Sequence, residues 1–232
     1  MRSVLLACGL LVLSTLSGCT SLNPTVIAVL VADQSAQLQQ PLDLGALDER
    51  VEEICNGCSL EVYDAGSEAD TQSDQLDQAL AASADVVVLD AVDPELAESL
   101  VQRAGAVPVL AFGEPVAGAD WFVGLSEPVA PADRVDGDLE AARAVISRDR
   151  DSFTFVPAVD MSTRAADVAV GELVGEPVEG SVETEGVPSW LYEPVVVTVN
   201  DLTTVVVAAG ALTLDELCSG DTAKRCVQLG LV

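Results

Sequence analysis

Residues 63–94, YDAGSEADTQSDQLDQALAASADVVVLDAVDP, leave few architectures open. They read as a strand end, a polar turn, an amphipathic helix over 72–82, and a strand over 86–89 that is apolar at every position. Leu76, Ala79 and Leu80 give that helix one apolar face. A strand with no polar alternate must be covered on both sides, as in a parallel sheet flanked by helices. Asp90 and Asp93 follow directly, and ligands of such sheets sit beyond the strands' carboxyl ends.

The neighbouring sequence repeats the pattern. Short apolar runs predict strands at 26–31, 60–63, 107–112 and 121–125, with helices at 45–54 and 95–104. Pro94 stands at a favoured first-turn position of the second of these helices. Strands alternating with helices of this length imply right-handed βαβ units. The expected fold is therefore α/β, a doubly wound parallel sheet, with residues 25–125 as a near-complete first lobe. From residue 126 the texture changes, and Glu127-Pro128-Val129-Ala130-Pro131 marks a lobe boundary. Beyond it the sequence predicts helices at 138–146, 165–174, 214–218 and 223–229 and a strand at 153–156. A loop at 175–188 and an extended segment at 190–199 complete the reading. So few strands make residues 126–232 a reduced second lobe and C-terminal tail.

Composition removes several function classes. The 232 residues carry 38 Asp plus Glu against 10 Lys plus Arg, a formal net charge of −28. Nucleic-acid affinity rests on Lys and Arg neutralising phosphates, so a nucleic-acid partner is excluded. There is no histidine, which removes Ser-His-Asp and Cys-His catalysis and His-assisted zinc sites. Asp64, Asp70 and Asp74 lack the spacing of a calcium loop. No catalytic residue, metal or cofactor is implied.

The N-terminus has one positive charge, Arg2, and an apolar stretch from Val4 to Leu16, long enough for a secretory signal and too short to span a bilayer. It closes on Leu16-Ser17-Gly18-Cys19, which resembles a bacterial lipobox. By that resemblance residues 1–18 are a lipoprotein signal peptide and Cys19 is the lipid-modified first residue. Residues 19–24 are then a tether to the outer face of the cytoplasmic membrane. Export puts the remaining Cys55, Cys58, Cys218 and Cys226 in a disulfide-permissive compartment. Four cysteines allow three connectivities, of which neighbour pairing favours Cys55–Cys58 and Cys218–Cys226. A redox Cys-x-x-Cys opens a helix after a strand; here Cys55 ends a helical stretch and a strand follows Cys58.

Two blocks resemble the sugar-binding proteins that serve bacterial ABC importers, the xylose- and ribose-type family. The first holds ADQS, CNGC, YDAG, VVVLDAVDP and GAVPVLAF in order. The second holds FTFVPAVD, GEPVEG, VPSWLYEPVVVTVND and LDELCSGDTAKRC. The resemblance implies a periplasmic-binding-protein-like fold, a non-catalytic role, a sugar ligand, an ABC permease partner and a monomer. It carries Asp33, Asp43 and Asp90 over as ligand-binding positions, with Asp136 or Asp138 as further candidates. Glu114 stands where the family has an arginine, and Trp121 is the candidate for stacking on a sugar ring. Elsewhere the family's basic and aromatic residues are replaced by Leu38, Gln39 and Gln40, and its Asp-Asn pair after strand five by Ser126 and Glu127. Three other readings remain: a surface lipoprotein paralogue that has lost sugar binding, a thiol-disulfide protein using Cys55 and Cys58, and a hydrolase using Asp90 and Glu114.

Overall fold

A computed structural model of the chain describes residues 24–34, 42–129, 134–135 and 139–232. Strands β1 (Thr25–Val31), β2 (Cys58–Asp64), β3 (Val86–Asp90), β4 (Val109–Gly113) and β5 (Trp121–Leu125) pair in parallel in the order β2-β1-β3-β4-β5. Helices α1 (Leu44–Ile54), α2 (Ala69–Ala81) and α3 (Pro94–Ala104) connect the first four, and a short loop joins β4 to β5. The apolar strands are explained by what covers them. On one face Ile27, Val29, Val88, Leu110 and Val123 pack beneath α1 and a later helix, α5 (Ala158–Val174). On the other, Ala28, Leu30, Val87, Leu89 and Phe122 meet α2 and α3 through Leu76, Ala79, Ala97 and Leu100. Each fully buried Val or Leu contributes about 1.5–3 kcal/mol, so neither layer is dispensable.

α5 returns the chain to this first sheet. Its Ala165, Ala166 and Ala169 are fully buried, and these small side chains let it lie close on the strands. Arg50 of α1 donates to Asp167 of α5 at 2.8 Å. The expected helix at 165–174 thus begins earlier, at Ala158. The expected loop at 175–188 instead contains strand β8 (Val182–Thr184), a hairpin partner of β9 (Val187–Tyr192). Its turn is Glu185-Gly186, with φ of 52° and 85°, the double positive φ of a type I′ hairpin turn. Glu-Gly is not the usual sequence signal for that turn. β9 pairs in parallel with β5, completing a seven-stranded sheet β2-β1-β3-β4-β5-β9-β8.

A second, smaller sheet holds three strands, β10-β7-β6. β7 (Ser152–Phe155) lies between β6 (Arg134–Val135), parallel to it, and β10 (Val195–Thr198), antiparallel. Helices α4 (Leu139–Ser147), α6 (Leu214–Leu217) and α7 (Ala223–Leu229), with a π-helical turn at Thr203–Val207, build its core around Ile146, Phe153, Phe155, Val197, Leu202 and Leu217. The extended segment expected at 190–199 is broken at Glu193-Pro194, where the chain leaves one sheet for the other. The chain crosses between the two units three times, between β5 and β6, between β7 and α5, and between β9 and β10. This is an α/β fold with a mostly parallel seven-stranded sheet and a smaller three-stranded unit. Among the described residues no helix is long and apolar enough to cross a membrane.

Both neighbouring cysteine pairs are joined, Cys55–Cys58 at the α1–β2 turn and Cys218–Cys226 between α6 and α7, with Cα separations of 5.5 and 5.7 Å. The second bridge closes a loop of sequence separation 8 in the smaller core. Chain-entropy bookkeeping sets its worth at about 2.5 kcal/mol. Replacing Cys218 and Cys226 together by Ala is therefore expected to lower the guanidinium midpoint by that equivalent. A midpoint equal to the parent's would show that the second lobe does not depend on the bridge.

Candidate functional site

Because β1 to β5 and β9 all run in one direction, their carboxyl ends share one edge of the sheet, and all three crossings lie at that edge. Carboxylates collect there. Asp33 lies two residues past β1, Asp64 and Asp90 end β2 and β3, and Glu114 follows β4. β1 pairs directly with β3, Leu30 opposite Leu89, so the Asp33 and Asp90 segments are neighbours. The main-chain N–H of Ala32 donates to Asp90 Oδ2 at 3.3 Å, and the Ser67 hydroxyl donates to Asp33 Oδ2 at 2.7 Å. Asp64 Oδ1 accepts from the N–H groups of Gly66 at 2.9 Å and Gln34 at 3.3 Å. Ionised carboxylates only accept hydrogen bonds. With no Lys or Arg among residues 32–34, 64–68, 90–93, 113–115 and 125–128, the edge is acceptor-rich and complementary to hydroxyl donors.

The sequence candidates divide among three locations. Asp33, Asp90 and Glu114 share the strand-end edge. Asp43 stands at the same end of the sheet as the N-cap of α1, its Oδ1 accepting from Ala46 N–H at 2.9 Å while its own N–H donates to Ser162 Oγ at 2.7 Å. Those two bonds give it a defined role in tying α1 to α5. Asp93 caps α3 in the same manner, accepting from Glu95 and Leu96. Trp121 is not brought to the edge. It begins β5, opposite Leu110, and Leu125 lies four residues, or roughly 13 Å, nearer the site. Its ring is half-buried against the core layer under α1 and α5. Cys19, the segment 38–40, Asp136 and Asp138 lie outside the described residues.

Two residues the sequence reading did not single out belong to this region. Phe122 floors a cavity of about 270 Å³ at the ends of β4, β5 and β9, with Glu114, Ser126, Leu125 and Leu191 in its wall. Its ring lies across Gly124, where an added Cβ would enter the ring and stand 2.9 Å from the Gly113 carbonyl oxygen. The sequence signal was the Phe-x-Gly spacing on a strand, which puts both residues on one face. The other is Gln72, in line with Leu76 and Ala79 on α2 and buried with them. A polar residue in an apolar helical stripe was the available sign.

Tyr192 joins the crossings. Its carbonyl accepts the Ser126 N–H at 2.9 Å, and its hydroxyl donates to the Asp160 carbonyl at 3.3 Å in the first turn of α5. One residue thus bonds to the start of the first connection and to the helical turn that follows the second, and itself precedes the third. At the far side of the sheet Tyr63, near the end of β2, has its hydroxyl held above its ordinary pKa by burial and by donation to the Glu61 carboxylate. It stays a neutral donor throughout the physiological range. Among the described residues no cluster of three His, Cys, Asp or Glu is arranged to hold a metal ion.

No protein-family model and no curated protein matches the sequence. Solved structures do match. An ABC transporter solute-binding protein from Clostridium phytofermentans with bound β-D-glucose superposes with a TM-score of 0.66 at 9% identity, over 83% of this chain and 100% of its own. One from Bacillus halodurans C-125 with bound myo-inositol gives 0.64 at 13% identity, over 81% and 99%. A carbohydrate-transporter solute-binding protein from Chloroflexus aurantiacus in complex with D-glucose gives 0.66 at 10%, over 83% and 97%. At such identities the likeness is one of fold: the chain has a periplasmic-binding-protein-like architecture and resembles the sugar-binding members in it.

Gly124→Ala tests the packing of the cavity floor. Over-packing is expected to cost about 1–3 kcal/mol, which in a chain of this size lowers Tm by several degrees. An unchanged Tm in differential scanning calorimetry would mean that the Phe122 ring swings aside without loss and does not define the cavity.

Proposed function

We propose that this chain is an extracytoplasmic, non-catalytic solute-binding lipoprotein of an ABC importer, and that its ligand is a sugar or related polyol. The observation that carries the reading is the gathering of Asp33, Asp90 and Glu114 on the one edge from which all three inter-lobe crossings depart. In a two-lobe protein, closure about such crossings encloses a ligand held at the strand ends. Carboxylate acceptors match hydroxyl donors, and the apolar cavity floor at Phe122 suits the carbon face of a ring. The fold-level neighbours that carry glucose or inositol support the same ligand class. Anchoring through Cys19 and delivery to a membrane permease complete the proposal.

A second reading is favoured by one observation, the absence of Lys and Arg from the strand-end segments. An arginine fork is the usual bidentate partner for paired hydroxyls, and Leu or Glu does not replace it. On this reading the chain keeps the frame, has lost sugar binding and acts through another partner as a surface lipoprotein.

Thermal unfolding against D-xylose, D-ribose, D-glucose and myo-inositol separates the two. A ligand at 100 times its Kd adds about 2.7 kcal/mol, a rise of roughly 5–10 °C for a chain this long. The first reading predicts that rise with at least one compound and its loss in Asp90→Asn. A single cooperative transition unmoved by all four compounds favours the second reading. Separately, Cys19→Ser is expected to move the protein from the membrane fraction to the soluble one, and retention in membranes would contradict the lipid anchor.

A further inference from the structure

Burying a primary amide without partners costs about 1–3 kcal/mol. Gln72 is 1% exposed, and both ends of its amide are satisfied by one loop. Its Nε2 donates to the Asp90 carbonyl at 2.8 Å, and its Oε1 accepts the Val92 N–H at 3.0 Å. The two bonds fall on either side of Ala91. They also fix which way the amide faces, because exchanging its oxygen and nitrogen would set donor against donor and acceptor against acceptor. The Asp90 side chain makes the third contact, accepting the Ala32 N–H from the segment after β1.

We infer that Gln72 is a positioning residue for the ligand edge: it fixes the backbone of 90–92 so that the Asp90 carboxylate is held toward the 32–33 segment before any ligand arrives. This rests on the assignment of Asp90 to the binding edge. A residue of α2, outside the strand-end loops, thereby sets the geometry of a candidate ligand acceptor. Pre-organisation of this kind lowers the ordering cost of binding. α2 also supplies an internal control. Gln75, three residues on, donates Nε2 to the Asp64 carbonyl at 2.7 Å, the same type of bond to a different strand end.

The test compares Gln72→Met with Gln75→Met in the labelled chain, following amide hydrogen exchange by NMR. Met keeps the length and removes the bonds. Exchange at Ala32 is expected to accelerate tenfold or more in Gln72→Met and to stay at the parent rate in Gln75→Met, with Val88 and Ala111 protected in both. Ala32 exchanging at the parent rate in folded Gln72→Met would overturn the inference and leave Gln72 a packing residue. Were Gln72→Met not to fold, Gln72→Asn gives the same readout. It keeps the amide but, one methylene shorter, draws it back from both the Asp90 carbonyl and the Val92 N–H. No ligand is needed, so a failed sugar panel would count against the proposed function and not against this result.

Discussion

The rest of the structure depends on burying both faces of the parallel strands. Val86 to Leu89 have no polar alternate, so the chain must supply a helical layer on each side, and α1 with α5 and α2 with α3 are those layers. Parallel pairing has a second consequence. It sends every carboxyl end to the same edge, so the first polar residue after each apolar run collects there without any contact between the residues themselves. Asp33, Asp64, Asp90 and Glu114 are gathered by strand direction alone. The core that stabilises the fold and the acidic edge that gives it chemistry follow from one constraint.

The same edge carries the connections between the lobes. A proline stands in each, Pro128, Pro157 and Pro194, and a proline fixes its own φ and narrows the choices of the residue before it. Tyr192 ties the start of the first connection to the first turn of α5 and stands just before the third. The smaller unit has its own core and its own staple, Cys218–Cys226.

Much of the first lobe was legible because its signals are local. Apolar runs gave β1 to β5, and helical spacing with Pro94 gave α2 and α3. Asp90 followed because it stands just after such a run, whereas Asp33 and Glu114 came from the family resemblance. What was not legible depends on partners distant in sequence. No periodicity in 158–192 tells that α5 and β9 return to the first sheet, because an apolar stripe does not name the surface it will cover. The Glu185-Gly186 turn lacks the Asn-Gly or Asp-Gly that announces a hairpin. The π-helical turn at Thr203–Val207 is built from β-branched residues that favour strands, so the packing of Leu202 and Val206 overrides local preference. Trp121 drew attention as an aromatic beside a strand, but the first residue of β5 lies at the end of the strand opposite the carboxyl edge. Gln72 and Phe122 act through neighbours, one through a loop's main chain and the other through the gap at Gly124.

The proposed function places a ligand at the carboxyl ends of β1, β3 and β4. The most direct test is an amide-resolved NMR titration of the chain with D-glucose and myo-inositol. The account predicts saturable shifts concentrated at Ala32, Asp33, Asp90, Val92 and Glu114, with smaller changes at the crossings near Ser126 and Tyr192. Saturable shifts confined to another surface, with those amides unmoved, would contradict it.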